Sequence, residues 1–194
     1  MPSEGSRASR WLASALVVAA AVAVVLVVSL ERDEEPSPVD EPERAEHADY
    51  YFEAFTTYTY REDGRPHARL RGVDAYHFPE RGELEITEPR LRVRTEGGAV
   101  WRARAPFGVA RQSDETVFLQ EEVHARRAAH GDRPRVLIDT RNLLIRLAED
   151  RADTEEHAVA REPAGRIAGV GMTLFFEEDY LELHDEARGH YTFR

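Results

Sequence analysis

The side chains of this 194-residue chain that could do chemistry are eight histidines and a large excess of carboxylates, so their spacing is the first question. A zinc site on a helix or strand needs histidines at short, fixed intervals. His47, His67, His77, His124, His130, His157, His184 and His190 show neither HExxH nor HxH spacing. His184-Asp185-Glu186 is a compact polar cluster, and on strand parity it faces solvent as a charged strand end. There is no cysteine, which removes thiolate catalysis, a Cys-type zinc site, disulfides and the acceptor of a lipoprotein anchor. There is no lysine either, so a P-loop cannot exist, and any energy from nucleotide hydrolysis must come from another protein. Beyond residue 49 the only serine is Ser113, and no Gly-x-Ser-x-Gly elbow surrounds it. Gly169-Val170-Gly171 is too short for a phosphate loop and reads as a bulge or tight bend in a sheet. Neither catalysis nor a cofactor or metal is expected. An envelope enzyme would need two of the surface carboxylates to face each other in a pocket.

Charge and hydropathy divide the chain. The formal net charge of −11 splits into +1 on residues 1–10, −7 on residues 31–49 and −5 on the remainder. No basic stripe stands out in the sequence, so nucleic acid is not an expected partner. Trp11 to Leu30 is uncharged throughout and, at about 1.5 Å per residue, spans roughly the 30 Å of a bilayer's hydrocarbon. A cleavable signal peptide is the competing reading, with small-x-small triplets at Ala13–Ala15 and Ala21–Ala23. Both triplets lie inside the apolar run, and its polar end, Val28-Ser29-Leu30-Glu31, is a poor cleavage site. Arg7 and Arg10 before the run place the N-terminus in the cytoplasm and everything after Leu30 across the membrane. The helix could pack against other membrane helices or act as a passive tether. Residues 31–49, with three prolines and nine acids, read as an extended spacer. The expected organisation is a cytoplasmic N-terminus (1–10), a transmembrane anchor (11–30), an acidic Pro-rich linker (31–49) and one domain (50–194).

That domain must be built of strands. Ala68 and Leu70, Leu84 and Ile86, Leu91 and Val93, Trp101 and Ala103 each alternate with charged residues. So do Val117, Leu119, Val123 and Ala125, then Val136 and Ile138, then Leu143, Ile145 and Leu147, and finally Leu181 and Leu183. A period of two with one apolar face is the pattern of half-buried antiparallel strands. Turn residues separate the runs at Glu62-Asp63-Gly64, Pro79 to Gly82, Glu96-Gly97-Gly98 and His130-Gly131-Asp132. Residues 143–160 also contain good helix formers, but strand, turn at Glu149-Asp150-Arg151, strand is the better fit. The expectation is an all-β sandwich or jelly roll with longish strands.

From Asp49 the order of these features resembles the LptC family, inner-membrane-anchored periplasmic adaptors of lipopolysaccharide export. An aromatic first strand (Tyr50, Phe55, Tyr60) leads to a turn at Gly64. Strands ending in Tyr76-His77-Phe78 and at Pro89 follow, then Trp101 with Ala103, and Thr140 with Leu143 before Ala152-Asp153-Thr154. Near the end Gly171-Met172 precedes Leu181-Glu182-Leu183. One departure stands out. Family members commonly bend in mid-domain at a Leu-x-Gly-Asn-Val-like turn, and this chain has Leu119-Gln120-Glu121-Glu122-Val123, where a residue at φ > 0 would be strained.

The resemblance implies an open antiparallel β-jelly roll whose two sheets enclose an apolar groove for lipopolysaccharide. Sheltering acyl chains matters because each exposed methylene costs about 0.8 kcal/mol. The groove candidates are Phe55, Leu70, Ile86, Val93, Trp101, Ala103, Ile138, Ile145 and Leu183. A closed core has the same pattern, and would make the chain a scaffold subunit of an envelope complex. The resemblance further implies that the edge near Tyr50–Tyr60 meets the transporter subunits LptF and LptG. The edge near Leu181–Tyr191 would meet the bridge protein LptA, which has the same kind of domain behind a cleaved signal.

Overall fold

The computed structural model describes residues 47–191. The expected N-terminus and membrane anchor, and nearly all of the linker, lie outside these residues. The described part is all-β and antiparallel, with one 3₁₀ turn at Leu147–Glu149. Thirteen strands form one hydrogen-bonded sheet: β1 (Tyr50–Glu53), β2 (Thr56–Tyr60), β3 (Pro66–Arg71), β4 (Asp74–Phe78), β5 (Glu83–Thr87), β6 (Arg90–Arg94), β7 (Val100–Arg104), β8 (Phe107–Arg111), β9 (Thr116–Arg127), β10 (Val136–Arg146), β11 (Arg151–Glu162), β12 (Gly165–Phe175) and β13 (Tyr180–Tyr191).

The pairings reveal a simpler design. β1 with β2, β3 with β4, β5 with β6 and β7 with β8 are each one long strand broken in the middle, and β9 to β13 run on unbroken but bent. The result is an up-and-down meander folded along a crease, so that the two sheets of the expected open jelly roll are the two leaves of one continuous sheet. A front leaf runs β1-β4-β5-β8 and continues into the first half of β9. A back leaf runs β2-β3-β6-β7 and joins the second half of β9. β10 to β13 pass through both leaves. The meander stays open, with β1 and β2 at one edge and β13 at the other.

The crease is written in backbone angles. Ala54, Glu88, Glu121, Asn142 and Glu186 all have φ between +48° and +65°, and Gly171 sits at +70°. The registers of β10 against β9, β11 against β12 and β12 against β13 slip at the same level. Pro89 and Pro106, which cannot donate a ladder hydrogen bond, flank the breaks in the third and fourth long strands. The bend expected between Leu119 and Val123 is present without glycine. Glu121 itself adopts φ +65°, and its N–H donates to Asn142 Oδ1 at 3.1 Å, while Asn142 Nδ2 donates to Glu156. At Gly171 a Cβ would lie 2.8 Å from the His184 ring, so the bend expected there admits only glycine. Asp150, at φ +50°, closes the turn that separates β10 from β11.

The two outer faces differ in a way the linear charge count conceals. On the back leaf, register places Arg69, Arg92, Arg102 and Arg126 directly opposite one another in one row, beginning at Tyr58. Arg71, Arg90, Arg104 and His124 form a parallel row. A reading along the chain, in which no basic stripe of the kind a nucleic-acid binder needs stands out, does not find these rows, because they run across strands. On the front leaf the corresponding row reads Tyr51, Tyr76, Glu85, Val109, Phe118, Leu144.

Candidate functional site: the interior between the leaves

Alternation sends one set of side chains from every long strand into the fold. All nine residues marked in the sequence arrive in one apolar cluster. Leu70, Ile86, Val93, Trp101, Ile138 and Ile145 are buried in it, and Phe55, Ala103 and Leu183 pack against it from its margins. The cluster therefore extends from the first long strand to the last. Gly72 was not singled out by its sequence context, yet it is needed there. A Cβ on it would come within 2.4 Å of Ile86 and 2.6 Å of Phe55, so its bareness is what lets the two pack at the crease.

The middle of this interior is filled. Leu91, Val93, Trp101 and Ala125 of the back leaf face Leu143, Ile145, Leu174 and Phe176 of the front, leaving about 10 Å³ between them. The Trp101 and Phe176 rings lie 5.9 Å apart. Toward β13 the leaves diverge around a cavity of about 190 Å³, lined by Trp101, Val136, Ala160, Ile167, Leu174 and Leu181, with Glu162, Arg166, Asp179 and Tyr191 polar at its margin. A small-molecule pocket is commonly about 300–1,000 Å³, so several acyl chains fit only if the leaves part further. The Trp101 indole N–H, buried among these apolar groups, has no hydrogen-bond partner. Leaving such a donor unmatched costs about 1–3 kcal/mol.

Opposite the crease, charged side chains fasten the leaves along a rim. Arg127, at the back-leaf end of β9, donates from Nε to Asp179 at 2.6 Å, and both side chains are nearly inaccessible. Arg133 reaches the other Asp179 oxygen at 3.2 Å. Farther along, Arg61 bridges Asp150 at 3.3 Å and Glu177 at 2.5 Å, and the Glu177 carboxylate also accepts from the Glu96 N–H. His67 is buried beside them, 3.4 Å from Asp150 but not aligned for a hydrogen bond. Burial lowers its pKa, with Asp150 opposing and Arg61 reinforcing the shift, so it is neutral at pH 7. These pairs leave no local signal in the sequence, because their partners lie up to 116 residues apart.

Among the described residues no group of three His, Asp or Glu converges as metal ligands. His184 lies within β13 near the crease, its ring 3.0 Å from the Thr173 hydroxyl, and not at a strand end.

An open, creased antiparallel meander around an apolar interior defines a recognisable class of β domain. The solved structure of LptH from Pseudomonas aeruginosa, described as the LptA-homologous periplasmic component of the conserved lipopolysaccharide transport device, shares it. It matches with a TM-score of 0.54 at 6% identity, over 64% of this chain and 94% of that one. A search of curated proteins finds no match. The family described as "Lipopolysaccharide-assembly, LptC-related" matches residues 16–192, and the chain belongs to this LptC family.

Proposed function

We propose that the domain takes part in lipopolysaccharide export on the periplasmic side, receiving the lipid's acyl chains between its leaves and passing them toward β13. The observation that carries this reading is the single apolar cluster reaching from Phe55 to Leu183, with its cavity beside β12 and β13. Family membership supplies the substrate class. The unmatched Trp101 N–H would meet an acyl carbonyl or hydroxyl at the cavity, a partner a closed core would not provide.

The two edges suit strand addition to neighbouring β domains, which relieves the exposed backbone of an open sheet. At the first edge Tyr50, Tyr51, Phe52, Tyr58 and Tyr60 are exposed, and it would receive the LptF–LptG transporter. At the other Tyr180 and Tyr191 are exposed, and it would meet LptA. Residues 11–30 would hold the protein in the inner membrane.

Site-specific photocrosslinking in lipopolysaccharide-producing cells tests the reading. A photoreactive residue at Ile86, Ile145 or Leu183 should yield lipopolysaccharide adducts, and one at Phe107 on the outer face should not. Folded, expressed protein that captures no lipid at any interior position would leave the closed-core scaffold as the function.

A further inference from the structure

The rows of arginine on the back leaf are an energetic anomaly. Cross-strand neighbours stand about 4.5–5.5 Å apart at Cβ, and like charges directly opposite destabilise a sheet. Here Arg69, Arg92, Arg102 and Arg126 occupy four successive opposite positions, and Arg71, Arg90 and Arg104 three more. The chain has acids to spare, at a net charge of −11, yet the strands β3, β6 and β7 place none on this face. Only Arg90 of the seven has an ion-pair partner among the described residues, Glu88 at 3.1 Å. Burial chiefly, and then the neighbouring charges of Arg94, Arg102 and Arg69, push the pKa of Arg92 below its ordinary value. The other six arginines have no acidic ion-pair partner among the described residues, so the face is open to an anionic surface.

The fringe of the patch says what kind of surface. Tyr58 and Tyr60, 50% and 58% exposed, flank it on β2, and Leu137, 39% exposed, continues the same row beyond Arg126. Tyrosine with arginine is the composition of a membrane interface, where the ring sits at headgroup depth and the guanidinium holds phosphate. An acidic peptide would neutralise the arginines but leave the apolar fringe in water. A sheet face also presents its charges in a plane, which matches a bilayer better than a single headgroup. We infer that the outer face of the back leaf docks on an anionic phospholipid bilayer, with arginines on lipid phosphates and Tyr58, Tyr60 and Leu137 at headgroup depth. This inference goes beyond the transport reading and stands whether or not acyl chains enter the interior.

The absence of cysteine makes the test direct. Full-length protein carrying an environment-sensitive fluorophore at Leu137→Cys or at Tyr180→Cys is reconstituted in nanodiscs of phosphatidylcholine, with or without phosphatidylglycerol. The Leu137 probe should shift to the blue only in the anionic discs, and the shift should vanish at high salt. The Tyr180 probe, on the front-leaf part of β13 and away from the arginine rows, should not respond. Each arginine near an anionic surface is worth about fivefold in the docking equilibrium, so R92Q/R102Q/R126Q should reduce docking on the order of a hundredfold. That variant removes like-charge crowding, so it should melt no lower than the parent, which separates lost docking from lost fold. A shift that persists in the triple variant, or appears equally at Tyr180, overturns the inference. So does salt-sensitive protection of Leu137 in neutral discs, which would assign the face to the chain's own acidic residues 31–49.

Discussion

Along the crease, Ala54, Glu88, Glu121, Asn142 and Glu186 hold left-handed backbone angles, and the chain crosses continuously from leaf to leaf. Along the rim, no strand crosses, and the leaves are joined where Arg127 meets Asp179 and Arg61 meets Asp150 and Glu177. Both lines bound the same apolar interior, but they do so by different physics. At the crease the covalent chain of every long strand runs from one leaf into the other, so the leaves cannot part there. Opening the rim requires only parting a few side chains and hydrating their charges. On the proposed reading, in which the filled centre widens to admit lipid, the rim is the side on which it can do so.

The largest effect should come from breaking the rim at its most buried point. Asp179→Ala leaves Arg127, 2% exposed, charged and unmatched, and removing one partner of a buried pair typically costs about 3–5 kcal/mol. Urea denaturation would read it as a lower midpoint at unchanged slope. Replacing both partners, R127M/D179L, should cost less than D179A alone, since no orphan charge remains. A loss from D179A below about 1 kcal/mol, as for a surface pair, would mean the rim is not fastened there.

Why the crease was half legible and the rim invisible follows from range. Alternation is a local signal, so the strands, the inward set from Leu70 to Leu183 and the turn at Asp150 could be read from neighbouring residues. The slip from Ile138 to Leu143, which changes parity, already contained the bend at Asn142. Glu121 carried no sign of a left-handed angle, because its stabilising partner is an asparagine on the next strand. The rim pairs and the arginine rows depend on register between distant segments. Arg92 and Arg102 each look like an ordinary outward residue until pairing sets them opposite one another. That such slips in successive strands line up into one crease is likewise set by register between distant segments, and a single strand's periodicity does not show it.

The crease offers a smaller effect of opposite sign. A non-glycine residue at a left-handed angle costs roughly 1–2 kcal/mol, which Glu121 bears at φ +65°. Glu121→Gly should relieve part of this while keeping the N–H bond to Asn142, whose acceptor is a side chain. Glycine also has more freedom to lose on folding, so the net gain should be about 0.5–1 kcal/mol. The thermal midpoint should rise. A fall would show that the Glu121 side chain makes a contribution larger than the backbone strain it imposes.

The finest distinction between the two lines is their response to acid. The backbone bonds of the crease do not titrate, whereas His67 sits buried in the rim with its pKa lowered, chiefly by burial. In the unfolded chain the imidazole takes up a proton near pH 6.5, and in the folded chain only at lower pH. Its contribution to stability is therefore complete above about pH 6.5 and is lost as pH falls through the lower folded value. His67→Gln, neutral at every pH, should flatten the acid limb of the stability curve just below pH 6.5 while leaving the neutral plateau level in shape. Parallel curves for the two proteins over that window would show that the imidazole titrates alike in both states, and that burial at the rim does not govern it. A flattened limb would mean that protonation of the buried rim imidazole is linked to unfolding of the domain.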